Sequence, residues 1–225
     1  MTTGMDDFAA GDAGPGIDMD DLAQVEAGRR LVSQYLTEAL ATEKALVTPL
    51  RAHIAMTPEG AYRQVLERHL GETQEHANAV ERRLGELGSG GGLIATGTEL
   101  AQTLVGQGLA LSKGPVDMLR GKSGEEKLLK NAKDECATEA LEIATYQAIE
   151  TLAEALGDDK TAHLARTHRQ QEERMLEQLR GLLPSLTLDA VRALATGHSS
   201  YDLSATGAAD MLRKAREKAA EMGIR

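Results

Sequence analysis

The stretch VLERHLGETQEHA, residues 65–77, decides how this chain folds. An apolar row with steps of three or four residues runs along it: Leu66, Leu70, Thr73 and Ala77. A second row lies one residue around from the first: Val65, His69, Glu72 and His76. Such spacing places side chains on one face of an α-helix. The stretch therefore predicts a helix that carries histidine and glutamate beside its core face.

The composition favours helices in the rest of the chain as well. Apolar residues make up 41% of the 225 residues, but aromatic residues make up only 2% and Trp is absent. Strands draw on β-branched and aromatic side chains, whereas Leu, Ala and Met suit close-packed helices. We therefore predict an all-α fold.

Charge and cysteine content exclude several classes of protein. The net charge of −10 disfavours nucleic acid binding, which needs a basic surface. Cys136 is the single cysteine, so an internal disulfide framework is excluded and a reducing compartment is favoured. No apolar run reaches the ~18 residues of a membrane span, and the first residues lack the features of a signal peptide. The sequence predicts a cytoplasmic protein that binds neither nucleic acid nor membrane.

Breaks in the helical pattern divide the chain into four long helices. They are predicted at about 20–56, 58–87, 123–156 and 159–183. Thr57 is expected to cap the second helix, with Pro58 at its first position. Ser123 has the spacing of a capping box to Glu126, an Asp after Gly157 is expected to cap the fourth helix, and Pro184 is expected to end it.

The lengths of the connections predict the topology. Helices one and two, and helices three and four, are joined by short links, which make antiparallel hairpins. About 35 glycine-rich residues, 88–122, with one or two weaker helices, separate the hairpins. A long crossover of this kind is typical of a ferritin-like four-helix bundle. We predict such a bundle over residues 20–183.

Two further segments flank the predicted bundle. Residues 1–19 are rich in glycine and acidic residues and are predicted to form a disordered arm. Residues 184–225 are predicted to form a helical tail, with short helices near 188–195 and 205–222. Three roles are open for this tail: packing on the bundle, mediating assembly, or moving freely.

The other three long helices also carry polar residues in their apolar rows. Glu43 lies among Val32, Leu36, Leu40, Val47, Leu50 and Ile54. On helix three, Glu135, Glu139 and Glu142 lie between Ala132 and the apolar group of Tyr146, Ile149 and Ala153. On helix four, His168 and Glu172 lie between Leu164 and Met175. A buried lone carboxylate is costly or becomes protonated, whereas a metal ion supplies the missing positive charge.

These residue types indicate the kind of metal. Carboxylate and imidazole groups favour Fe or Mn, whereas a zinc site more often uses thiolates. The predicted metal ligands are Glu43, His69, Glu72, His76, Glu139, Glu142, His168 and Glu172. A shift of 99 residues carries Glu43 onto Glu142 and His69 onto His168, which favours a pseudo-twofold site. Glu43 by itself is equally compatible with a residue at a helix edge that reaches solvent.

Several polar residues fall outside this set. His53, His163 and His198 lie off the rows and are expected at the surface. Glu135 is expected to be a solvated acid one turn beyond the site. Tyr146 is expected in the core with its hydroxyl group hydrogen-bonded.

The stretches RHLGETQEH (68–76), EKAL (43–46) and EALEIATY (139–146) together resemble the YciE/YciF-type ferritin-like proteins of bacteria. The resemblance spans about residues 25–183. It implies a rubrerythrin-like four-helix fold, a dinuclear metal centre and a link to stress responses. The positions that match the family pattern are Glu43, Glu72, His76, Glu139, Glu142 and Glu172.

The chain also departs from the usual di-iron pattern, in which Glu and His are three residues apart on two helices. Glu72 and His76 are four residues apart, and His168 precedes Glu172 in reverse order. Ala140 stands where the pattern has a histidine. Whether both metal positions are filled is therefore open, and His69 or His168 are candidates to replace a missing ligand. The resemblance implies two Fe or Mn ions, and the residues themselves support at least one.

Three functions are compatible with this reasoning. The first is a di-iron or di-manganese oxidoreductase, similar to a peroxidase, catalase or ferroxidase, that reacts with peroxide or dioxygen in stress defence. The second is metal binding or storage without turnover, or a role as cargo in an assembly. The third is a structural bundle that has lost its site. A homodimer or a larger assembly is compatible with all three.

Overall fold

The computed structural model describes residues 17–88 and 123–222, and most of them lie in helices. The helices are α1 (Leu22–Met56), α2 (Ala61–Glu86), α3 (Gly124–Ala155), α4 (Asp159–Thr196) and α5 (Gly207–Glu221). A 3₁₀ turn, Leu203–Ala205, precedes α5. Within the described ranges there is no β-strand, and Pro58 and Thr206 form an isolated bridge. The predicted all-α class is confirmed.

Side-chain caps fix where three of the long helices begin. Asp21 caps α1 by accepting hydrogen bonds from two backbone N–H groups of the first turn. Ser123 accepts from the backbone N–H of Glu126, and Asp158 accepts from that of Thr161. Each bond satisfies an amide that has no partner within its helix. The predicted caps of the third and fourth helices are confirmed.

The second helix begins later than predicted, at Ala61 rather than Pro58. Thr57 does not cap it, because its hydroxyl group donates to a backbone carbonyl in the last turn of α1. Pro58 is drawn into the isolated bridge with Thr206. Gly60 then turns the chain into α2 with a φ of 151°, a conformation that only glycine adopts at low cost. A contact with a distant segment thus overrides the local capping signal.

The prediction that the fourth helix ends before Pro184 is wrong, because α4 continues to Thr196. Pro184 has no N–H group and therefore removes one backbone hydrogen bond. Beyond it, Ala190 and Ala193 are buried, and Leu186 packs against the core. Burial of this inner face offsets the lost bond, and the short helix predicted after Pro184 is the continuation of α4.

The four long helices form two hairpins, α1 with α2 and α3 with α4. Across the bundle, α1 packs on α3 and α2 packs on α4. The terminal helix α5, close to its predicted range, packs on α1. Of the three roles left open for the tail, packing on the bundle is therefore present in the structure.

The core consists of two apolar clusters separated along the bundle axis. The first cluster includes Leu36, Leu40, Val80, Leu84, Ile149 and Ala165. The second cluster includes Leu50, Leu66, Ala132, Met175 and Leu179. On each long helix, the residues between the two clusters form a layer in the middle of the bundle.

Parts of the predicted organisation lie outside the described residues. The acidic arm, 1–19, and the crossover, 88–122, fall almost entirely there. The division into a bundle, 20–183, and a tail, 184–225, stays a prediction, and α4 runs across its boundary. Among the described helices, none is long and apolar enough to cross a membrane.

Candidate metal centre

Between the two apolar clusters, all four long helices place polar side chains inside the bundle. These residues define the polar layer: Glu43 on α1, His69 and His76 on α2, Glu139 and Glu142 on α3, and His168 and Glu172 on α4. Each is at most 6% exposed. On each helix the apolar row fixes the buried face, and the polar residue in that row is buried with it.

One group of potential ligand atoms joins three helices: His69, Glu139, Glu142 and Glu172. Each residue offers one nitrogen or oxygen, and these atoms lie within 4.8 Å of one another. His69 Nε2 is 2.9 Å from Glu139 Oε1, but neither ring nitrogen has the geometry of a hydrogen bond. One imidazole with three carboxylates is a donor set that suits Fe or Mn.

A second group consists of Glu43, His76 and Glu172. His76 Nδ1 lies 2.7 Å from Glu172 Oε1 and 3.2 Å from Glu43 Oε1. The other ring nitrogen of His76 lies 3.0 Å from Gln171 Oε1. Glu172 belongs to both groups, and its carboxylate is therefore placed to bridge two cations.

Tyr146 of α3 contacts the second group through Glu43. Its hydroxyl group donates to Glu43 Oε1 at 2.6 Å, and the residue is 1% exposed. Burial and the charge of Glu43 raise the pKa of Tyr146, so the phenol keeps its proton. The prediction of a core tyrosine with a hydrogen-bonded hydroxyl group is confirmed.

Three of the four carboxylates of the layer are held in an unfavourable environment; at the fourth, Glu172, desolvation is outweighed by contact with His76, which lowers the pKa. Desolvation raises the pKa of Glu43, Glu139 and Glu142, that of Glu139 to about 8. At Glu142 the charges of neighbouring carboxylates, first Glu43 and Glu172, raise the pKa further. Repulsion and burial both disfavour the ionised forms. The positive charge of a cation in the layer would offset both effects.

The pKa values of two histidines of the layer are raised, as their acidic neighbours would lead one to expect. Desolvation lowers the pKa of His69, but contact with Glu139 outweighs it and raises this pKa to about 9. For His76, Glu172 and Glu43 outweigh desolvation in the same way and raise the pKa to about 10. These rings carry protons where a metal ion would bind, so metal binding must release protons.

Unpartnered atoms give the most direct test of whether the layer fits a metal. Within the described residues, both oxygens of Glu139 and Glu142, and one oxygen each of Glu43 and Glu172, are buried without a hydrogen-bond partner. Buried polar atoms normally have partners, and leaving them without one is costly. Here the unpartnered oxygens converge from three helices on one layer. The donor set fits divalent cations.

His168 was predicted as a ligand, and it lies beside the two groups rather than in them. Its ring stacks on that of His76, with centroids 4.0 Å apart and planes at 22°. Desolvation, and then the charge of His76, lower the pKa of His168 to about 3. It is therefore a neutral imidazole, and its buried Nδ1 has no hydrogen-bond partner among residues 17–88 and 123–222.

Glu72 was also predicted as a ligand, but it is half-buried and belongs to neither group. At about 100° per residue, Glu72 lies about 60° around α2 from His69, on the side away from Thr73. The buried face of α2 is centred between His69 and Thr73. Glu72 is therefore at the edge of the interface rather than in the layer.

Glu135 is a residue of this region that the sequence reasoning missed. It is buried, not solvated, and its carboxylate pairs with Nδ1 of His53 and lies 3.7 Å from Nδ1 of His69. His53, expected at the surface, is half-buried by this contact. The available signal was the place of Glu135 in the same helical row as the layer residues. His163 and His198 are exposed, as predicted.

Comparison with known proteins gives a family and a similar solved structure. A family described as a domain of unknown function (DUF892) matches residues 29–192, which include the whole polar layer. The chain is also similar to a protein of Xanthomonas campestris pv. campestris whose crystal structure is solved. The TM-score is 0.58 at 21% identity, over 75% of this chain and 99% of that one. At this identity the similarity shows the fold alone. No curated protein matches the chain.

Proposed function

The chain belongs to the family described as a domain of unknown function, DUF892, and from that premise we propose a metal-dependent redox function. In this proposal the chain binds two Fe or Mn ions in the core of a ferritin-like bundle. It uses them on peroxide or dioxygen in defence against stress. The resemblance of residues 43–46, 68–76 and 139–146 to YciE/YciF-type proteins supports the stress role and the ferritin-like class.

The observation that carries the proposal is the set of unpartnered carboxylate oxygens in the polar layer. A bundle without a metal would be more stable with apolar residues at these positions, because buried ionisable groups are costly unless they are paired. Glu142 is the clearest case, since neither of its oxygens has a partner and its pKa is strongly raised. The layer is therefore best explained as a set of ligands.

The two groups of ligand atoms define the proposed roles. His69, Glu139 and Glu142 would hold one ion, and Glu43 and His76 would hold the other. Glu172, which belongs to both groups, would contribute to both. Relative to the eight ligands predicted from the sequence, this proposal leaves out Glu72 and His168.

The surrounding residues provide the environment for redox chemistry. Bound iron or manganese would supply the change of oxidation state that reduction of peroxide or dioxygen requires. The two apolar clusters exclude bulk water from both ends of the layer. Tyr146 holds a proton 2.6 Å from Glu43 Oε1, and His168 adds a neutral imidazole beside His76.

Metal content is the first test. The purified chain should bind two Fe(II) or Mn(II) ions in an anaerobic titration followed by elemental analysis. Glu172→Gln should bind at most one ion, because the shared ligand is lost. Glu173→Gln alters an exposed neighbour on the same helix and should bind two. A wild-type chain that binds neither metal, or a Glu172→Gln variant that binds two, contradicts the proposal.

Turnover is the second test. The Fe- or Mn-loaded chain should consume hydrogen peroxide faster than the same concentration of free metal, and Glu172→Gln should not. If the loaded wild type binds two ions but consumes neither peroxide nor dioxygen, the redox part is wrong. The chain would then be a metal-binding protein without turnover.

A further inference from the structure

A cavity of about 370 Å³ lies between α2 and α4, next to the polar layer. His76 and His168 line it on the side of the layer, while Glu75 and Arg82 are exposed residues of its wall. All ligand atoms of the proposed centre belong to buried residues, so any metal ion must pass from solvent through the bundle wall. The cavity links the surface to His76, which contributes to the second ligand group.

The side chains in the wall include groups that can replace water molecules as ligands of a divalent cation. Glu75 offers a carboxylate, Gln171 an amide oxygen and His168 an imidazole. The chemistry of the wall therefore suits a partly hydrated divalent cation.

His168 gives a second and independent indication. It is 6% exposed, and its Nδ1 has no hydrogen-bond partner in the part of the chain that the structure describes. A buried ring nitrogen normally finds a partner, and leaving it without one is costly. The ring stacks on His76 at 4.0 Å but lies outside both ligand groups. His168 therefore lines the cavity without belonging to either group of final ligands, which suits a residue that holds a cation only in transit.

We propose that this cavity is the metal uptake site, where Glu75 and His168 hold a divalent cation on its way to His76 and Glu172. The inference rests on the proposed function, because it requires a metal centre in the layer. It differs from that function in assigning His168 to the rate of loading rather than to the final set of ligands.

The experiment measures how fast the full chain loads metal. Chelator-treated protein is mixed with Co(II), whose absorbance on binding gives the rate of loading, and elemental analysis gives the final number of ions. Ala79 lines the cavity, so Ala79→Trp should fill it. We expect Ala79→Trp and His168→Leu each to lower the rate of metal loading about tenfold, because each change raises the barrier to entry. Both should reach the same final number of ions as the wild type.

Matched controls separate this route from general damage to the bundle. Gly181→Trp places the same side chain in a different cavity, between α3 and α4, which no residue of the polar layer lines. His163→Leu removes an exposed histidine from the same helix as His168. Both controls should load at the rate of the wild type.

A variant at an exposed position tests uptake through the cavity without changing the packing of the core. Arg82 is exposed in the cavity wall, and its positive charge opposes an incoming cation. Arg82→Glu should speed loading about two- to tenfold at low ionic strength, and the gain should disappear at high salt. Arg29→Glu, an exposed change on α1, should have little effect.

The outcomes distinguish the two proposals. If the wild type binds metal but Ala79→Trp, His168→Leu and Arg82→Glu all load at its rate, the uptake site is wrong and the metal centre stands. If His168→Leu lowers the final number of ions, His168 is a permanent ligand and its assignment to uptake is wrong. If the wild type binds no Co(II), Fe(II) or Mn(II), both proposals fail.

Discussion

Two buried glutamates show why burial alone does not identify a site. Glu125 and Glu142 are each 3% exposed. Desolvation raises the pKa of Glu125, but hydrogen bonds from Ser199, Ser200 and Tyr201 outweigh it and lower this pKa to about 2. Among the described residues, neither oxygen of Glu142 has a hydrogen-bond partner, whereas Glu125 lacks a partner at one oxygen only, and the pKa of Glu142 is raised. The two differ in the hydrogen bonds that stabilise the ionised form, and only Glu142 lies in the polar layer.

Replacing Glu142 by glutamine should affect the stability of the metal-free protein and its stabilisation by metal in opposite directions. In chelator, Glu142→Gln should raise the free energy of unfolding at pH 8 by about 1–2 kcal/mol, because it removes an acid that burial and neighbouring charges disfavour. The increase in Tm that Mn(II) gives the wild type should disappear, because a ligand is missing. Thermal unfolding with and without Mn(II) measures both effects.

Glu177→Gln, which alters an exposed glutamate of α4, is the control and should respond to Mn(II) as the wild type does. A Glu142→Gln variant that is less stable in chelator, or that keeps the full response to Mn(II), would contradict Glu142 as a ligand.

The pH dependence of the metal-free protein should follow from Glu139. Its pKa is about 8 in the folded state, against an ordinary value of 4.5. A group whose pKa is raised by folding contributes stability that is complete below about 4.5 and is lost as the pH rises through about 8. His69 and His76, with pKa values of about 9 and 10, act in the same direction above pH 6.5.

Urea unfolding in chelator should therefore show a free energy of unfolding that falls between pH 5 and pH 9. The wild type should lose more stability over this range than Glu139→Gln, which has no carboxyl group to ionise there. Equal slopes for the two proteins would show that Glu139 does not titrate in the folded state as its surroundings indicate.

Helical periodicity singled out every residue of the polar layer, and its departures at Glu72 and Glu135 have a physical reason. The structure brings Glu43, His69, His76, Glu139, Glu142 and Glu172 into the two ligand groups. Periodicity fixes the relative directions of side chains on one helix, but not how the helix is rotated against its neighbours. Glu72 falls outside because that rotation leaves it at an edge. Glu135 is buried because α1 places His53 against it, a contact between residues far apart in sequence.

Among the helices, the predictions that held were those that depend on neighbouring residues. Ser123 and Asp158 cap their helices because each cap joins residues three apart. Thr57 and Pro184 were misjudged because distant contacts decide their roles. Thr57 lies next to the bridge with Thr206, and Pro184 lies within a helix whose far end is buried.

Pro184 should accordingly lower the stability of α4. It is exposed, and the helix continues on both sides of it without its N–H group. Pro184→Ala should raise the free energy of unfolding by about 1–3 kcal/mol by restoring one backbone bond and a better helix former. Urea unfolding measures the change, and Ser185→Ala, at the next exposed position, should change it by less than about 1 kcal/mol.

A loss of stability in Pro184→Ala would have a specific meaning. It would show that the packing of Leu186, Ala190 and Ala193 depends on the direction that proline gives to the second part of α4.

At the scale of the whole molecule, the residues after α4 close one end of the bundle. Glu125 at the start of α3 accepts hydrogen bonds from residues 199–201, and the hydroxyl group of Tyr201 donates to the carbonyl of Met56 at the end of α1. Arg63 of α2 forms an ion pair with Asp210 of α5. Three long helices are thus tied together at the end of the bundle, away from the polar layer.

Gly207 is the point where this closure comes close to the backbone of α1, and it gives the last prediction. A Cβ at this position would lie 2.5 Å from the carbonyl oxygen of Ile54, which is backbone and cannot move aside easily. Gly207→Ala should therefore lower the free energy of unfolding by about 1–3 kcal/mol, or detach and unfold α5, so that trypsin cleaves it faster at its exposed basic residues. Gly181→Ala is the matched control, because a Cβ there meets nothing within 4 Å. It should raise stability by up to about 1 kcal/mol.

The same pair of variants tests whether the closure and the polar layer are independent. The closure contacts the ends of α1, α2 and α3, while the ligand groups lie between the two apolar clusters. Gly207→Ala should therefore bind as many Mn(II) ions as the wild type, although it unfolds at lower urea. A variant that loses stability and metal together would show that the end of the bundle holds the layer in place, and residues 197–222 would then belong to the functional unit.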